Sequence, residues 1–506
     1  MRKKDLTGKA QFSYNVVVYW FAQILVIASG FIVPRQISDN LGIEILGVWD
    51  IGWATYNYLA ITGFFAIAVN RYIALYRSTG EQDRQSQVFS TSTIIQFCVC
   101  LILLLLSLFS LELSKEYLEN TFKSDEITNI LRLFCFAVIV RLLGDSSRGV
   151  ITGEHRWDLH HVINAIQDIL LAIALVFALQ IGATILTLGY LVLISSIATT
   201  FTRIIVRRII SPDTVFSFRF WDKKLARELF LFGAKTFTNS GSQLILFQTA
   251  AILLGAVTGP SALAIYTRSQ TLIRISEGLI QKIANMFVPI TSSLIGLNRD
   301  REARELLLDS CILFMSISIP ISLGMIFFGD LVIEVWMGAE YAKREIIVIL
   351  ALGSLFPIAH TGVFSVLAGM NAHGKLGIIS LSITLLALLA SIPILNSYYA
   401  VSYLSVSILV AVTWGLSRGF CLPIFLLHQF QISIKKYLIC VVVKPSVFYA
   451  PMAIFFYFAR QQFKDGSYLS SLALCALAGI ITAILIWKFL LPPNIKKLLQ
   501  PAKAAT

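Results

Sequence analysis

The chain is built from long apolar runs interrupted by short polar breaks, and no other feature constrains its fold as strongly. A helix needs about 20 apolar residues to cross a bilayer, and fourteen such stretches can be marked along the 506 residues. They lie near 13–36, 44–71, 88–112, 128–150, 158–180, 183–206, 229–256, 261–291, 307–329, 345–370, 375–397, 401–428, 438–459 and 467–488. Composition agrees: 57% of residues are hydrophobic and 14% charged, against roughly 45–50% and 25% in soluble chains. A soluble core of this size would leave too much apolar surface in water. The pattern predicts an all-α polytopic membrane protein. It excludes a soluble enzyme, a disordered chain and a nucleic-acid partner.

The charges orient the spans. The first run follows Met1-Arg2-Lys3-Lys4, is too long for a cleaved leader, and reads as an uncleaved anchor. With the N-terminus in the cytoplasm, about 26 of the 41 Lys and Arg fall on cytoplasmic segments, about 7 outside and about 8 within spans, as positive-inside retention requires. The densest group, Arg203, Arg207, Arg208, Arg219, Lys223, Lys224 and Arg227, stands between the sixth and seventh spans. The loop after the third span is acidic instead, with Glu112, Glu116, Glu119, Asp125 and Glu126. The even count puts both termini in the cytoplasm. Most of the net +13 then serves orientation and attraction to anionic membrane lipid.

No break is long enough for a soluble domain, and the seven cysteines lie in or at apolar runs without metal-ligand spacing. No metal is expected. An internal duplication is visible. Val150-Ile151-Thr152-Gly153 and Val366-Leu367-Ala368-Gly369 echo each other, as do His155 and His373, at an offset of about 216–218 residues. The same offset brings Leu41-Gly42 near Gly259-Pro260. The repeat holds six spans, so both copies insert the same way round. The expected organisation is an N-terminal six-helix bundle (1–210), a basic cytoplasmic linker (211–228), a C-terminal six-helix bundle (229–430), and an appended pair with a cytoplasmic tail (431–506). Two such bundles suggest a central cavity used by alternating access.

Polar residues inside the spans fall on single helix faces. The fourth span carries Arg141, Asp145 and Arg148 at i, i+4 and i+7, and the fifth carries His161, Asn164 and Asp168 at i, i+3 and i+7. The first adds Asn15, Tyr19 and Gln23, and the second Asp50 and Asn57. The seventh carries Lys235, Asn239 and Ser242, and the eighth Arg274, Glu277, Gln281 and Asn285 on one stripe, with Arg268 about 120° away on the same helix. A charge in mid-bilayer costs at least about 2.5–3.5 kcal/mol, so it faces a wet cavity or a partner. Arg141, Lys235, Arg268 and Arg274 are the cavity cations. Asp50, Asp168 and Glu277 are candidates for ion coupling, and Asn57, Asn164, Asn239 and Gln281 for cavity lining. The bases match or outnumber the acids, which suits an anionic cargo such as a phosphate. Arg141 with Asp145 and Arg274 with Glu277 also read as helix-internal ion pairs. Arg148 and Arg418 read as snorkelling residues, and His360 as a packing histidine.

Short motifs add a resemblance. Leu41-Gly42 with Leu46-Gly47-Val48-Trp49 resembles the first outer turn of polysaccharide flippases of the multidrug/oligosaccharidyl-lipid/polysaccharide exporter superfamily. Ala68-Val69-Asn70-Arg71-Tyr72-Ile73-Ala74 with Tyr76-Arg77 looks like that family's signature at the inner end of the second helix. Val150-Ile151-Thr152-Gly153 resembles its fourth-helix terminus. Ala264-Ile265-Tyr266-Thr267-Arg268-Ser269-Gln270 resembles its G-x-Y-x-x-A segment, with the Gly and Ala replaced. The resemblance implies a flippase, not an enzyme, in the cytoplasmic (inner) membrane. It would move a lipid-linked oligosaccharide of the undecaprenyl diphosphate type from the inner to the outer leaflet for cell-surface polysaccharide export. The diphosphate would meet Arg141, Arg268, Arg274 and Lys235. The resemblance implies no cofactor, with H+ or Na+ coupling through Asp168 or Asp50. Membrane lipid, a glycan polymerase and glycosyltransferases of the same pathway are the expected partners.

Three other functions remain open at this stage: a cation-coupled drug or small-molecule antiporter of the same superfamily, a lipid II flippase, and a membrane-embedded glycan polymerase. The antiporters have twelve helices and acidic sites. The lipid II branch has an Arg/Asp-rich first-helix signature that this sequence lacks. A polymerase would need a long exterior loop.

Overall fold

The computed structural model describes residues 9–122, 126–372, 374–395 and 401–462, with short pieces between 477 and 492. Among the described residues the chain is helical and has no strand. Eleven of its helices are long and apolar enough to cross a membrane. His373, the tail, and most of the expected span at 467–488 lie outside the described residues, as do the side chains of Asn15, Tyr19 and Asn239. The chain forms two compact units, Met1–Leu244 with Ala251–Ala264, and Ile245–Ala250 with Ile265–Thr506.

The first unit contains α1 (Lys9–Leu59), α2 (Phe65–Thr79), α3 (Gln82–Leu113), α4 (Lys115–Phe122), α5 (Ile127–Leu143), α6 (Asp145–Gly153), α7 (Trp157–Gln180) and α8 (Ile185–Ile210). Helix α9 (Lys223–Thr258) begins in it, and α10 (Pro260–Asn285) follows. Within the unit α1 packs on α7, α5 on α8, and α2 on α6. The run α1 is broken at Gly42, whose backbone (φ 85, ψ 172) is not helical. That conformation is essentially restricted to glycine. It recurs at Gly259 (φ 89, ψ 174), between α9 and α10. Two spans expected to be separate are thus drawn into one run, Ala22–Thr79, of 58 residues. At about 1.5 Å per residue this is enough chain to cross a bilayer twice.

The second unit contains α11 (Phe287–Gly296), α12 (Asp300–Met337), α13 (Arg344–Ala359), α14 (Thr361–Gly369), α15 (Gly374–Leu395), α16 (Tyr403–Trp414), α17 (Cys421–Gln429), α18 (Ile434–Tyr437) and α19 (Lys444–Gln462). Helix α12 packs on α13, α13 on α16, and α11 on α14. The segments Gly415–Phe420 and Leu438–Val443 are π-helical turns. Pro34, Pro320 and Pro357 lie inside α1, α12 and α13.

Similar turns recur about 216–218 residues apart. Helix α6 ends with His155 at φ 58, and α14 ends with Asn371 at φ 56. His155 N–H donates to Thr152 O (3.0 Å) and Arg156 N–H to Ile151 O (3.2 Å). Asn371 N–H donates to Ala368 O (3.0 Å) and Ala372 N–H to Leu367 O (2.8 Å). This is the same paired closure of a helix C-terminus in both copies. Helix α2 closes at Gly80 (φ 77) and α11 at Asn298 (φ 56) with the same pairing. Burial and the Arg77 charge hold the imidazole of His155 below its ordinary pKa.

The last glycine of each short helix marks a close approach. A β-carbon at Gly153 would lie 2.7 Å from Ile73 Cβ and 2.9 Å from Asn70 O. One at Gly369 would lie 2.7 Å from Thr291 Cβ and 2.7 Å from Val288 O. Gly153→Val and Gly369→Val are therefore each expected to cost about 1–3 kcal/mol through overpacking. Thermal unfolding of the purified protein checks this. Gly324→Ala, where a β-carbon meets nothing within 4 Å, should leave the melting temperature unchanged or raise it.

Candidate functional site

The first unit encloses a polar cavity of about 210 Å³, lined by Ala22, Gln23, Val26, Arg141, His161, Asn164, Ala165 and Asp168. Three helices build it: α1 supplies Gln23, α5 supplies Arg141, and α7 supplies His161, Asn164 and Asp168. The i, i+3, i+7 spacing on α7 places its three polar groups on one side. Arg141 and Asp168 face the same space, so a cation and an acid stand within a largely apolar unit. Arg141 offers this cavity a guanidinium donor fork and Asp168 a carboxyl group.

The cavity is held by an ion network behind it. Helix α5 stops at Leu143 and α6 starts at Asp145, with Gly144 between them. Asp145 makes its hydrogen bonds to arginines other than Arg141. Asp145 Oδ1 instead accepts from Arg203 Nη1 at 3.0 Å, and Oδ2 from Arg148 Nη2 at 2.9 Å. Arg148 Nη2 also donates to Gly63 O at 3.0 Å. Arg203 Nη2 donates to Asn164 Oδ1 at 3.2 Å, which ties the network to the cavity wall. The Asp145 and Arg203 side chains are 7% and 3% exposed.

Two assignments made from charge clustering are corrected here. Arg203 and Arg207 belong by sequence to the basic group between the sixth and seventh spans, yet both are buried. Helix α8 runs on to Ile210, and Arg207 donates to Thr214 O at 2.7 Å while its guanidinium lies 4.5 Å over the Phe89 ring. Arg148, expected to snorkel, is anchored inward by Asp145. The available signal was the stripe Ser196, Thr199, Thr200, Arg203, Arg207 on one face of α8.

The other predicted residues are distributed as follows. Asp50 is buried and Asn57 half-buried on α1, and Lys235 is exposed on α9. None of these three lines the cavity. In the second unit Arg268 is 2% exposed, with its guanidinium 5.7 Å from the Trp336 ring centroid. Arg274 is exposed and stands 5.4 Å over Phe247. Glu277 acts electrostatically on Arg418, which is buried 4.7 Å over Phe364. Gln281 donates to Asn285 Oδ1 at 2.8 Å. His360 is a packing residue: Nδ1–H donates to Phe356 O (2.7 Å), so Nε2 accepts from Tyr437 Oη (2.6 Å).

A family described as polysaccharide biosynthesis protein matches residues 71–345, more than half of the chain. The chain belongs to this polysaccharide biosynthesis family. No curated protein matches it by sequence. Its fold is similar to that of the lipid II flippase MurJ in an inward closed conformation, at 16% identity and TM-score 0.69, covering 95% of this chain and 100% of that one. It is also similar to an inward-facing multidrug resistance MATE family transporter of the MOP superfamily, at 15% identity and TM-score 0.66, covering 80% and 95%. A MOP superfamily transporter from Pyrococcus furiosus matches at 13% identity and TM-score 0.58, covering 83% and 96%. At such identities the likeness shows a shared transporter fold. The family-like motifs meet in the first unit, where Ala68, Val69 and Ile73 pack with Val150 in one core cluster. Arg71 of the same motif lies 4.4 Å over the Phe232 ring.

Removing one partner of a buried ion network leaves an uncompensated charge and costs about 3–5 kcal/mol. Asp145→Asn is expected to destabilise by that order, with Asp145→Asn/Arg203→Gln less damaging than the single change. Circular dichroism melts of the single and double variants give the comparison. A single variant as stable as the wild type would remove Asp145 from its structural role.

Proposed function

We propose that this protein flips a polyprenyl-diphosphate-linked oligosaccharide from the inner to the outer leaflet of the cytoplasmic membrane by alternating access, for export of a cell-surface polysaccharide. The observation that carries the reading is Arg141 in a polar cavity of a polysaccharide biosynthesis family chain. A diphosphate needs fixed cationic donors inside the membrane, and arginine offers a planar fork for phosphate oxygens. Arg268, Arg274 and Lys235 are the further cations in this proposal, with Asn57, Asn164, Asn239 and Gln281 lining the path. Asp168 is the proposed carrier of a coupling proton or sodium ion, ahead of Asp50 and Glu277. No other cofactor is invoked.

The proposed architecture has fourteen spans, in two six-helix bundles of the same orientation plus an appended pair, with both termini cytoplasmic. The linker of this scheme is 211–228. The equivalent turns at 155 and 371, and at 80 and 298, support the duplication. The Gly42 break supports counting Ala22–Thr79 as two spans. Helix α10, loaded with Arg268, Arg274, Glu277 and Lys282, is the proposed charged eighth span. A glycan polymerase and glycosyltransferases are proposed as partners in the same pathway.

Deleting the gene and extracting lipid-linked sugars tests the proposal. A complete repeat unit on its lipid carrier should accumulate facing the cytoplasm. Arg141→Ala and Arg274→Ala should each lower transport at least about tenfold with the folded protein retained. Full transport by both variants would overturn the cationic-site reading. A second reading, a lipid II flippase, is favoured by the near-complete coverage of the MurJ fold. It predicts accumulation of lipid II instead.

A further inference from the structure

The segment between α8 and α9 is neither a free linker nor part of the cavity. It runs along α3, held by three hydroxyl side chains that each bind its backbone twice. Ser86 Oγ accepts from Val215 N–H (3.2 Å) and donates to Asp213 O (3.3 Å). Ser90 Oγ accepts from Ser217 N–H (3.1 Å) and donates to Val215 O (3.3 Å). Thr91 Oγ1 accepts from Asp222 N–H (3.2 Å) and donates to Phe220 O (3.3 Å). Each clasp joins an N–H to the carbonyl two residues earlier, and between the second and third clasps the chain makes a single 3-10 turn, Phe218–Phe220. Arg207 closes the segment's beginning through Thr214 O. Asp222 caps α9 at its end by accepting from Lys224 and Leu225 N–H. Leu225 and Leu229 then join the core cluster of Val88 and Phe89.

What this strap presents outward is apolar and basic together. Val215, Phe216, Phe218 and Trp221 are exposed, Phe218 by 76% and Trp221 by 46%. Arg208, Arg219, Lys223 and Lys224 are exposed among them. The strap joins the ends of two membrane-length helices. The apolar stripe Phe201, Ile205, Ile209 on α8, itself exposed, leads directly to it. Aromatic side chains beside Lys and Arg favour the boundary between acyl chains and headgroups, and clustered cations there favour anionic lipid.

We infer that residues 208–224 form an interfacial strap that inserts Phe216, Phe218 and Trp221 into the bilayer boundary and binds anionic lipid headgroups through Arg208, Arg219, Lys223 and Lys224. The clasps pair the N–H groups of Val215, Ser217 and Asp222 and the carbonyls of Asp213, Val215 and Phe220, which lowers the cost of taking this backbone out of water. The inference rests on the membrane placement of the chain and is independent of what it transports.

The full chain is placed in nanodiscs of phosphatidylcholine, alone or with about one third phosphatidylglycerol. The Trp221 signal is taken as the difference between the wild type and Trp221→Phe. Lipids brominated near the headgroup should quench it, and aqueous iodide should not. Arg208→Gln/Arg219→Gln/Lys223→Gln/Lys224→Gln should lower the preference for retained phosphatidylglycerol at least about tenfold, with the circular dichroism spectrum unchanged. Ser90→Ala/Thr91→Val, which keeps every charge, should reduce quenching by brominated lipid. Iodide quenching without bromolipid quenching would overturn the inference, as would equal retention of the two lipids. A doubled mass in solution that Phe218→Ser abolishes would also overturn it, by assigning this face to a second copy of the chain.

Discussion

One carboxylate organises the first unit. Asp145 sits at the first residue of a short helix, almost out of reach of water, and holds two arginines from different elements. A lone carboxylate or guanidinium at such a depth would cost far more than any local packing could return, so each group is tolerable only because the other is there. The requirement propagates outward. Arg203 can reach Asp145 only if α8 packs beside α6, and Arg148 reaches Gly63 O only if the end of α1 is in place. Arg203 also grips Asn164, and Asn164 is part of the cavity wall. The geometry of the cavity is thus set from behind, by groups that do not line it.

The second unit has turns that match those of the first and different polar contents between them. At the helix break that corresponds to Gly144, the second copy has His360, fully buried and bonded to Phe356 O and Tyr437 Oη. Where the first copy has Arg148, the second has Phe364, against which Arg418 packs. A neutral imidazole–phenol contact and a cation over an aromatic ring replace the acid with two bases. The C-terminal closures survive unaltered because they depend on backbone geometry alone, and the polar cores diverge because side chains can be exchanged within one backbone frame. Further along, Asp330 of α12 pairs with Arg460 of α19 at 2.6 Å. That tie joins a repeat helix to one beyond the repeat.

The junction after α8 shows how chemistry at a membrane boundary differs from that in the core. Ser86, Ser90 and Thr91 look unremarkable in the sequence of α3, yet their spacing of four and five residues gives one side of the helix a row of hydroxyls. The segment before α9 lies along that row, with three of its amides and three of its carbonyls bound by the hydroxyls. The apolar side chains it carries then have nowhere to turn but outward.

Much of this was legible in the sequence. The apolar runs dictated a helical membrane protein, because no other structure of this length satisfies its backbone in lipid. The echo between Val150-Ile151-Thr152-Gly153 and Val366-Leu367-Ala368-Gly369 falls at two helix ends closed alike, but the residue matching His155 in backbone is Asn371, where the sequence pairs it with His373. Helical spacing placed Gln23, Arg141, His161, Asn164 and Asp168 on faces that do meet, since i, i+3, i+4 and i+7 positions share a side whatever the surroundings. Arg203 and Arg148 were misassigned because neighbours along the chain made one look like part of a surface cluster and the other like an interfacial residue. Asp145 bonds instead to Arg203, which lies 58 residues further along the chain, and to Arg148. The sequence by itself therefore determined the helices, their apolar surfaces and the repeat, which are local or periodic properties. Only the tertiary structure decided which charges are buried and with whom, because the cost of burying a charge depends on partners that are distant in the chain and close in space.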